Sequence, residues 1–141
     1  MGTLAGSCHC GNLQITFRTE RPLEDLQVRA CQCSFCRAHG ARALSDPKGR
    51  ATIVVGDDSR TNRYRFGLAT ADFVICKVCG IYVGAVMEHR GSTYCTLNVN
   101  VLRGDPFEGR TAQAVDYEGE SAEARIERRT RVWTPCTVER R

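Results

Sequence analysis

Leu13, Ile15 and Phe17 alternate with Gln14, Thr16 and Arg18, the period-two pattern of a strand with one buried face. Leu26, Val28 and Ala30 alternate with Gln27 and Arg29 in the same way. Residues 51–55 form a short β-branched run that Gly56-Asp57-Asp58 closes as a turn. Alternation returns over residues 62–66, and residues 71–75 lead an apolar run into Cys76. Residues 81–87 and 93–101 read as two more strands, divided by a turn at His89-Arg90-Gly91. Helical character is confined to residues 121–133, where Ser121 can cap the N-terminus and Glu123 sits in the first turn. The pattern predicts a mainly β chain, largely antiparallel, with a short helix or arm over residues 117–141. Its 141 residues suit one domain with one core.

Composition changes this picture at one point, the nine cysteines at 8, 10, 31, 33, 36, 76, 79, 95 and 136. The count is odd, and no apolar leader or stretch of about 20 apolar residues is read from the chain. A cytoplasmic protein without a membrane segment is therefore expected, with its thiols reduced. Seven of the nine fall in C-x-C or C-x-x-C spacings, which suit a metal better than disulfides. The formal charge of +4 invites a nucleic-acid reading, but seven thiolates and two Zn²⁺ ions would bring it to about +1. The remaining basic excess gathers late, at Arg125, Arg128, Arg129, Arg131, Arg140 and Arg141, and such a run is ordinarily a solvated face.

Each cluster lies at a strand end. Cys8-His9-Cys10-Gly11 precedes the first strand, Cys31-Gln32-Cys33-Ser34-Phe35-Cys36 follows the second, and Cys76-Lys77-Val78-Cys79-Gly80 sits between two strands as a knuckle. Glycine after Cys10 and after Cys79 permits the positive φ that turns backbone amides toward sulfur. A closed zinc site needs four ligands, so two clusters must combine. Cys8 and Cys10 with Cys76 and Cys79 make one such set. Cys31, Cys33 and Cys36 then offer three ligands and an open position. Closure of that second site by Cys95 or Cys136, or by His9 or His39, is the structural alternative. Cys95 lies in an apolar strand and reads as a buried small hydrophobe; Cys136 follows Pro135 and suits a loose thiol, a buried residue or a gate. Trp133 reads as a core anchor. A zinc ion held by three thiolates is a weak Lewis acid that prefers a soft fourth ligand, above all another thiolate.

These three clusters, in this order and with these internal spacings, resemble the glutathione-dependent formaldehyde-activating family (which includes centromere protein V-like proteins) over residues 6–104, with 98–102 similar to the family's strand after the knuckle. The resemblance implies a β-tent fold with two zinc ions per chain. It implies that Cys8, Cys10, Cys76 and Cys79 hold a structural zinc and that Cys31, Cys33 and Cys36 hold a catalytic one. It further implies a carbon–sulfur lyase whose name reaction joins glutathione to formaldehyde as S-hydroxymethylglutathione.

The expected function is therefore zinc-dependent chemistry between a thiol, such as glutathione, and a small carbonyl or related electrophile. Arg37, Lys77 or the group Arg125, Arg128 and Arg129 are candidates to hold the carboxylates of such a thiol. A zinc-ribbon-like module for nucleic acid or protein and a zinc or redox sensor are the alternatives. Little aromatic interleaving accompanies the arginines, so no nucleic acid and no membrane is expected as a partner, and the chain is compatible with a monomer or a homodimer.

Overall fold

Two antiparallel strands open the chain, β1 (Gly2–Ser7) and β2 (Leu13–Thr19). The computed structural model describes residues 2–141. In β2 the alternation acts as expected: Leu13, Ile15 and Phe17 are buried, and Gln14, Thr16 and Arg18 face outward. β3 (Arg29–Cys31) is shorter than the alternation over 26–30 suggests, although Leu26 and Val28 are buried. It is followed by helix α1 (Ser34–His39) and the two-residue β4 (Ala43–Leu44). Then come β5 (Arg50–Val55), β6 (Thr61–Tyr64), β7 (Asp72–Cys76), β8 (Tyr82–His89) and β9 (Ser92–Asn98). Arg90 and Gly91 both take positive φ, 51° and 81°, the geometry of a tight hairpin turn between β8 and β9. The chain ends with β10 (Gln113–Val115), helix α2 (Ala122–Val132) and β11 (Thr134–Arg140).

Pairing runs β1-β2-β5-β11-β9-β4-β3-β10, and β6, β7 and β8 extend from β9 on its other side. β11 is the join. Its first residues pair antiparallel with β9, through Thr134 and Cys95, and its remainder pairs parallel with β5 from Cys136 to Arg140. A parallel neighbour needs a crossover connection, here the whole of residues 56–133, which ends in α2. β10 with β3 is the second parallel pair; the sheets are otherwise antiparallel and the fold is the expected mainly β one. The expected strand over 93–101 stops at Asn98 and continues as a 3₁₀ turn over Val99–Val101. Asn98 causes this break, since its side chain accepts from the Asn100 amide at 3.2 Å and offers the backbone an alternative to the ladder.

The main core packs Leu13, Ile15 and Phe17 against Ile53, Val55, Leu97 and Phe107. Trp133 anchors a second cluster with Ala71, Ala85 and Met87. A third joins Cys36, Ala41 and Tyr82 beneath α1.

Candidate metal centre and cavity

Cys8 and Cys10 occupy the β1–β2 turn. Cys8 N–H donates to the Leu13 carbonyl at 2.9 Å, and Leu13 N–H donates to Cys8 Sγ at 3.3 Å. Gly11 completes the turn at φ 87°. Cys76 ends β7 and Cys79 lies in the knuckle that follows, closed by Gly80 N–H on the Cys76 carbonyl at 2.8 Å with Gly80 at φ 79°. Asn12 brings the two turns together. Its carbonyl accepts from Gly56 N–H and its Oδ1 from Asp57 N–H, both at 2.8 Å, while its Nδ2 donates to Thr61 Oγ1 at 3.3 Å. Thr61 is the ladder partner of Cys76, so the N-terminal turn is held to the knuckle.

The four sulfurs lie within 4.8 Å of one another, with Cys8 to Cys10 at 3.8 Å and Cys10 to Cys76 at 3.5 Å. Four thiolates at the Zn–S length around a tetrahedral ion stand about 3.8 Å apart, so the set fits one. Burial pushes the Cys8 thiol up to about 11. Burial also opposes ionisation of Cys79, but backbone donors of Cys10 and Ile81 and the neighbouring thiols draw it down to about 6. A cation would supply the charge that lets all four ionise together.

The second cluster is built on a strand end and a helix start. Cys31 closes β3, and Cys33 caps α1, its Sγ accepting from Cys36 N–H at 3.4 Å. Gly40, left-handed at φ 59°, ends the helix. Its carbonyl accepts from Asn100 Nδ2 at 2.9 Å, Asn98 Nδ2 donates to the Tyr82 carbonyl at 2.9 Å, and Arg42 Nε donates to Asn100 Oδ1 at 2.8 Å. The 3₁₀ turn after β9 thus fixes the helix against β8. Cys31, Cys33 and Cys36 bring their sulfurs within 4.8 Å of one another. The hydrogen bond from Cys36 draws Cys31 down to about 5 against the effect of burial, and the same bond with burial pushes Cys36 far up. A cation would replace the proton that this pair shares.

Among the described residues no further Cys, His, Asp or Glu joins either cluster. Cys95, Cys136, His9 and His39 thus lie outside the three-cysteine group. Cys95 is wholly buried and Cys136 packs at the edge of that core, while the His39 ring lies tilted against Phe35 at 4.5 Å. The fourth side of the three-cysteine cluster faces a cavity of about 430 Å³.

One wall of the cavity is aromatic. Phe66, Phe73 and Tyr82 line it, and Phe35 packs behind them, with Phe73 at 4.9 Å, Tyr82 at 5.1 Å and Phe66 at 5.3 Å. Burial and the three neighbouring cysteines keep the Tyr82 phenol protonated. These rings lie scattered along the sequence, and only the β6–β7–β8 pairing gathers them.

The opposite character comes from arginines: Arg29, Arg37, Arg42, Arg125, Arg128 and Arg129 all line the cavity. Lys77, the remaining cationic candidate, is exposed in the knuckle and reaches the Ser59 carbonyl at 3.4 Å, outside this group. Glu120 receives Arg128 at 2.8 Å and Arg125 at 3.3 Å, and Arg128 stacks on Tyr117 at 3.4 Å. Trp133 is the core anchor expected, and it also lines the cavity, with the Arg129 guanidinium 4.6 Å from its ring. Burial, then the charges of Arg128 and Arg125, draws Arg129 down to about 10, still a cation at neutral pH. Arg29 was not a sequence candidate. It reads there as the outward member of an alternating strand, and its partners Ser45 and Thr96 are remote in sequence.

Fold and clusters together define a β protein with two cysteine sites able to hold metal ions, one surrounded by its own side chains and one facing a cavity. The comparisons place it more closely. Residues 3–117 match the family model described as glutathione-dependent formaldehyde-activating enzyme, and the chain belongs to that family. It is similar to a crystal structure of a Rhodobacter sphaeroides protein, with 29% identity and a TM-score of 0.61 over 79% of this chain and 99% of that one. No curated protein matches it. No helix among the described residues is long and apolar enough to cross a membrane.

Proposed function

We propose that the chain is a zinc-dependent carbon–sulfur lyase that joins a thiol, with glutathione as the family's example, to a small carbonyl compound. The observation that carries this reading is the three-cysteine cluster whose fourth side faces a cavity rather than a protein ligand. Cys31, Cys33 and Cys36 would hold the catalytic zinc, and Cys8, Cys10, Cys76 and Cys79 the structural one. Zinc on three thiolates supplies a soft Lewis-acid position that favours binding of a thiol as its thiolate.

The protein's own groups do the rest. Cys33, fixed as the cap of α1, and Cys36, buried beneath it, hold the site rigid. The aromatic wall of Phe66, Phe73 and Tyr82 would exclude water from one side, where a carbonyl carbon can approach the sulfur. The protonated Tyr82 phenol in that wall suits donation to the carbonyl oxygen as charge develops there. The bond formed is carbon–sulfur; the thiol proton ends on the former carbonyl oxygen, and no redox change occurs.

The test follows hemithioacetal formation from glutathione and formaldehyde by NMR. Exchange faster than the uncatalysed rate is expected for the protein, with a loss of at least about 100-fold in the Cys33→Ser variant. Equality of protein and buffer over a panel of thiols and aldehydes would refute the enzymatic reading.

A further inference from the structure

Three of the cavity's six arginines have no carboxylate partner in the protein, and two of these are withdrawn from water. Arg42 pairs with Asp105 at 3.6 Å, and Arg125 and Arg128 share Glu120. Arg37 is exposed to water. Arg129 is only 7% exposed, yet its one partner is the Thr70 hydroxyl at 2.7 Å. Its Nε is the only buried side-chain nitrogen or oxygen among the described residues that lacks a hydrogen bond. Arg29, half-buried, donates to Ser45 Oγ at 2.6 Å and Thr96 Oγ1 at 3.3 Å and lies beside the Tyr117 hydroxyl, with no carboxylate among its partners. Buried guanidinium groups are ordinarily paired, because desolvating an uncompensated cation is costly. Neither of these two meets a carboxylate in the protein, and both lie in the wall of a cavity.

We propose that Arg29 and Arg129 form a carboxylate-binding subsite beside the three-cysteine cluster, so that one of the two reactants carries a carboxylate. A guanidinium presents parallel N–H donors that match a carboxylate's two oxygens, and the orphaned Nε supplies one edge of that fork. The proposal deepens the reading of the cluster as a thiol-binding centre and rests on it. Arg129 lies on α2, outside the residues 3–117 that the family model matches. The three-cysteine centre is the competing source of negative charge, but no hydrogen bond joins either guanidinium to its sulfurs.

The protein rebuilt with Co²⁺ reports thiol binding through its thiolate-to-cobalt absorption, and Trp133, the chain's one tryptophan, reports binding at Arg129 by its fluorescence. The first arm compares 3-mercaptopropionate with 2-mercaptoethanol. If the thiol carries the carboxylate, the acid binds at least about tenfold tighter, propionate competes with it, and Arg129→Gln and Arg29→Gln remove the advantage without changing 2-mercaptoethanol binding. The second arm compares glyoxylate with acetaldehyde by fluorescence; an advantage for glyoxylate that the same variants abolish assigns the carboxylate to the carbonyl reactant. Arg129→Lys, which keeps the charge and loses the fork, is expected to retain the fold and lose part of the advantage. No preference for a carboxylate in either arm, or one that every variant retains, overturns the proposal. Absence of any cobalt band shift with either thiol refutes thiol binding instead, and the glyoxylate arm still decides the subsite.

Discussion

Glu120 shows how much one side chain sets at the residue scale. Its carboxylate takes both Arg128 and Arg125, which hold it below the usual carboxylate range despite partial burial. A lowered folded value means the stabilisation is present above the ordinary value of 4.5 and fades as pH falls through the lowered one. Glu120→Gln is expected to cost about 1 kcal/mol at neutral pH, with the gap to the parent protein closing in acid; urea melts at pH 7 and pH 3.5 measure both. At this scale the cysteines were legible because metal ligation writes itself into short spacings. Arg29 was not, since an arginine on a strand reads as the polar face until Ser45 and Thr96 arrive from elsewhere to bury it.

Among elements, β1 is the instructive strand. Its sequence Gly2–Ser7 has one large apolar residue and no clear alternation, so it was not foreseen. It exists because β2 offers a complete ladder from Thr19 to Gln14 and because Gly6 permits close approach of the 3₁₀ turn, where a Cβ would run into the Val101 carbonyl. Gly6→Ala is therefore expected to destabilise by about 2 kcal/mol, seen as a lowered thermal midpoint with metal content unchanged. β2 was readable from its alternation, because one face is buried along its whole length, whereas β5 and β8 were readable as short apolar runs, β8 being buried on both faces over Tyr82–Ala85. β4 and β10 are too short to carry a period. α1 is six residues long and owes its helix to the Cys33 cap and the Gly40 end rather than to an apolar stripe.

Over the whole molecule the two cysteine clusters sit in different positions. The four-cysteine set joins turns separated by most of the first half of the chain, so its closure acts as a long-range cross-link. The three-cysteine set lies within one strand–helix corner and closes almost no loop. If each holds one zinc, a chelator should remove them in two stages: first the cavity-facing ion, with far-UV circular dichroism intact, then the other with loss of structure. Metal content measured alongside the spectra tests this; two ions leaving together, with unfolding, would count against the division. The mainly β architecture was legible as a whole, but the tie between the sheets was not, because β11 draws its partners from β5 and β9 at once.

That tie has a consequence for how the protein is made. Every other described strand and all the metal-ligating cysteines leave the ribosome before residues 134–140 can join the sheets. The four-cysteine turn and knuckle can therefore close on the nascent chain, while the three-cysteine corner waits without its α2 wall. During synthesis that corner is open to whatever metal or small thiol the surroundings supply. The order of emergence makes docking of α2, tied down by β11, the step that completes the cavity wall.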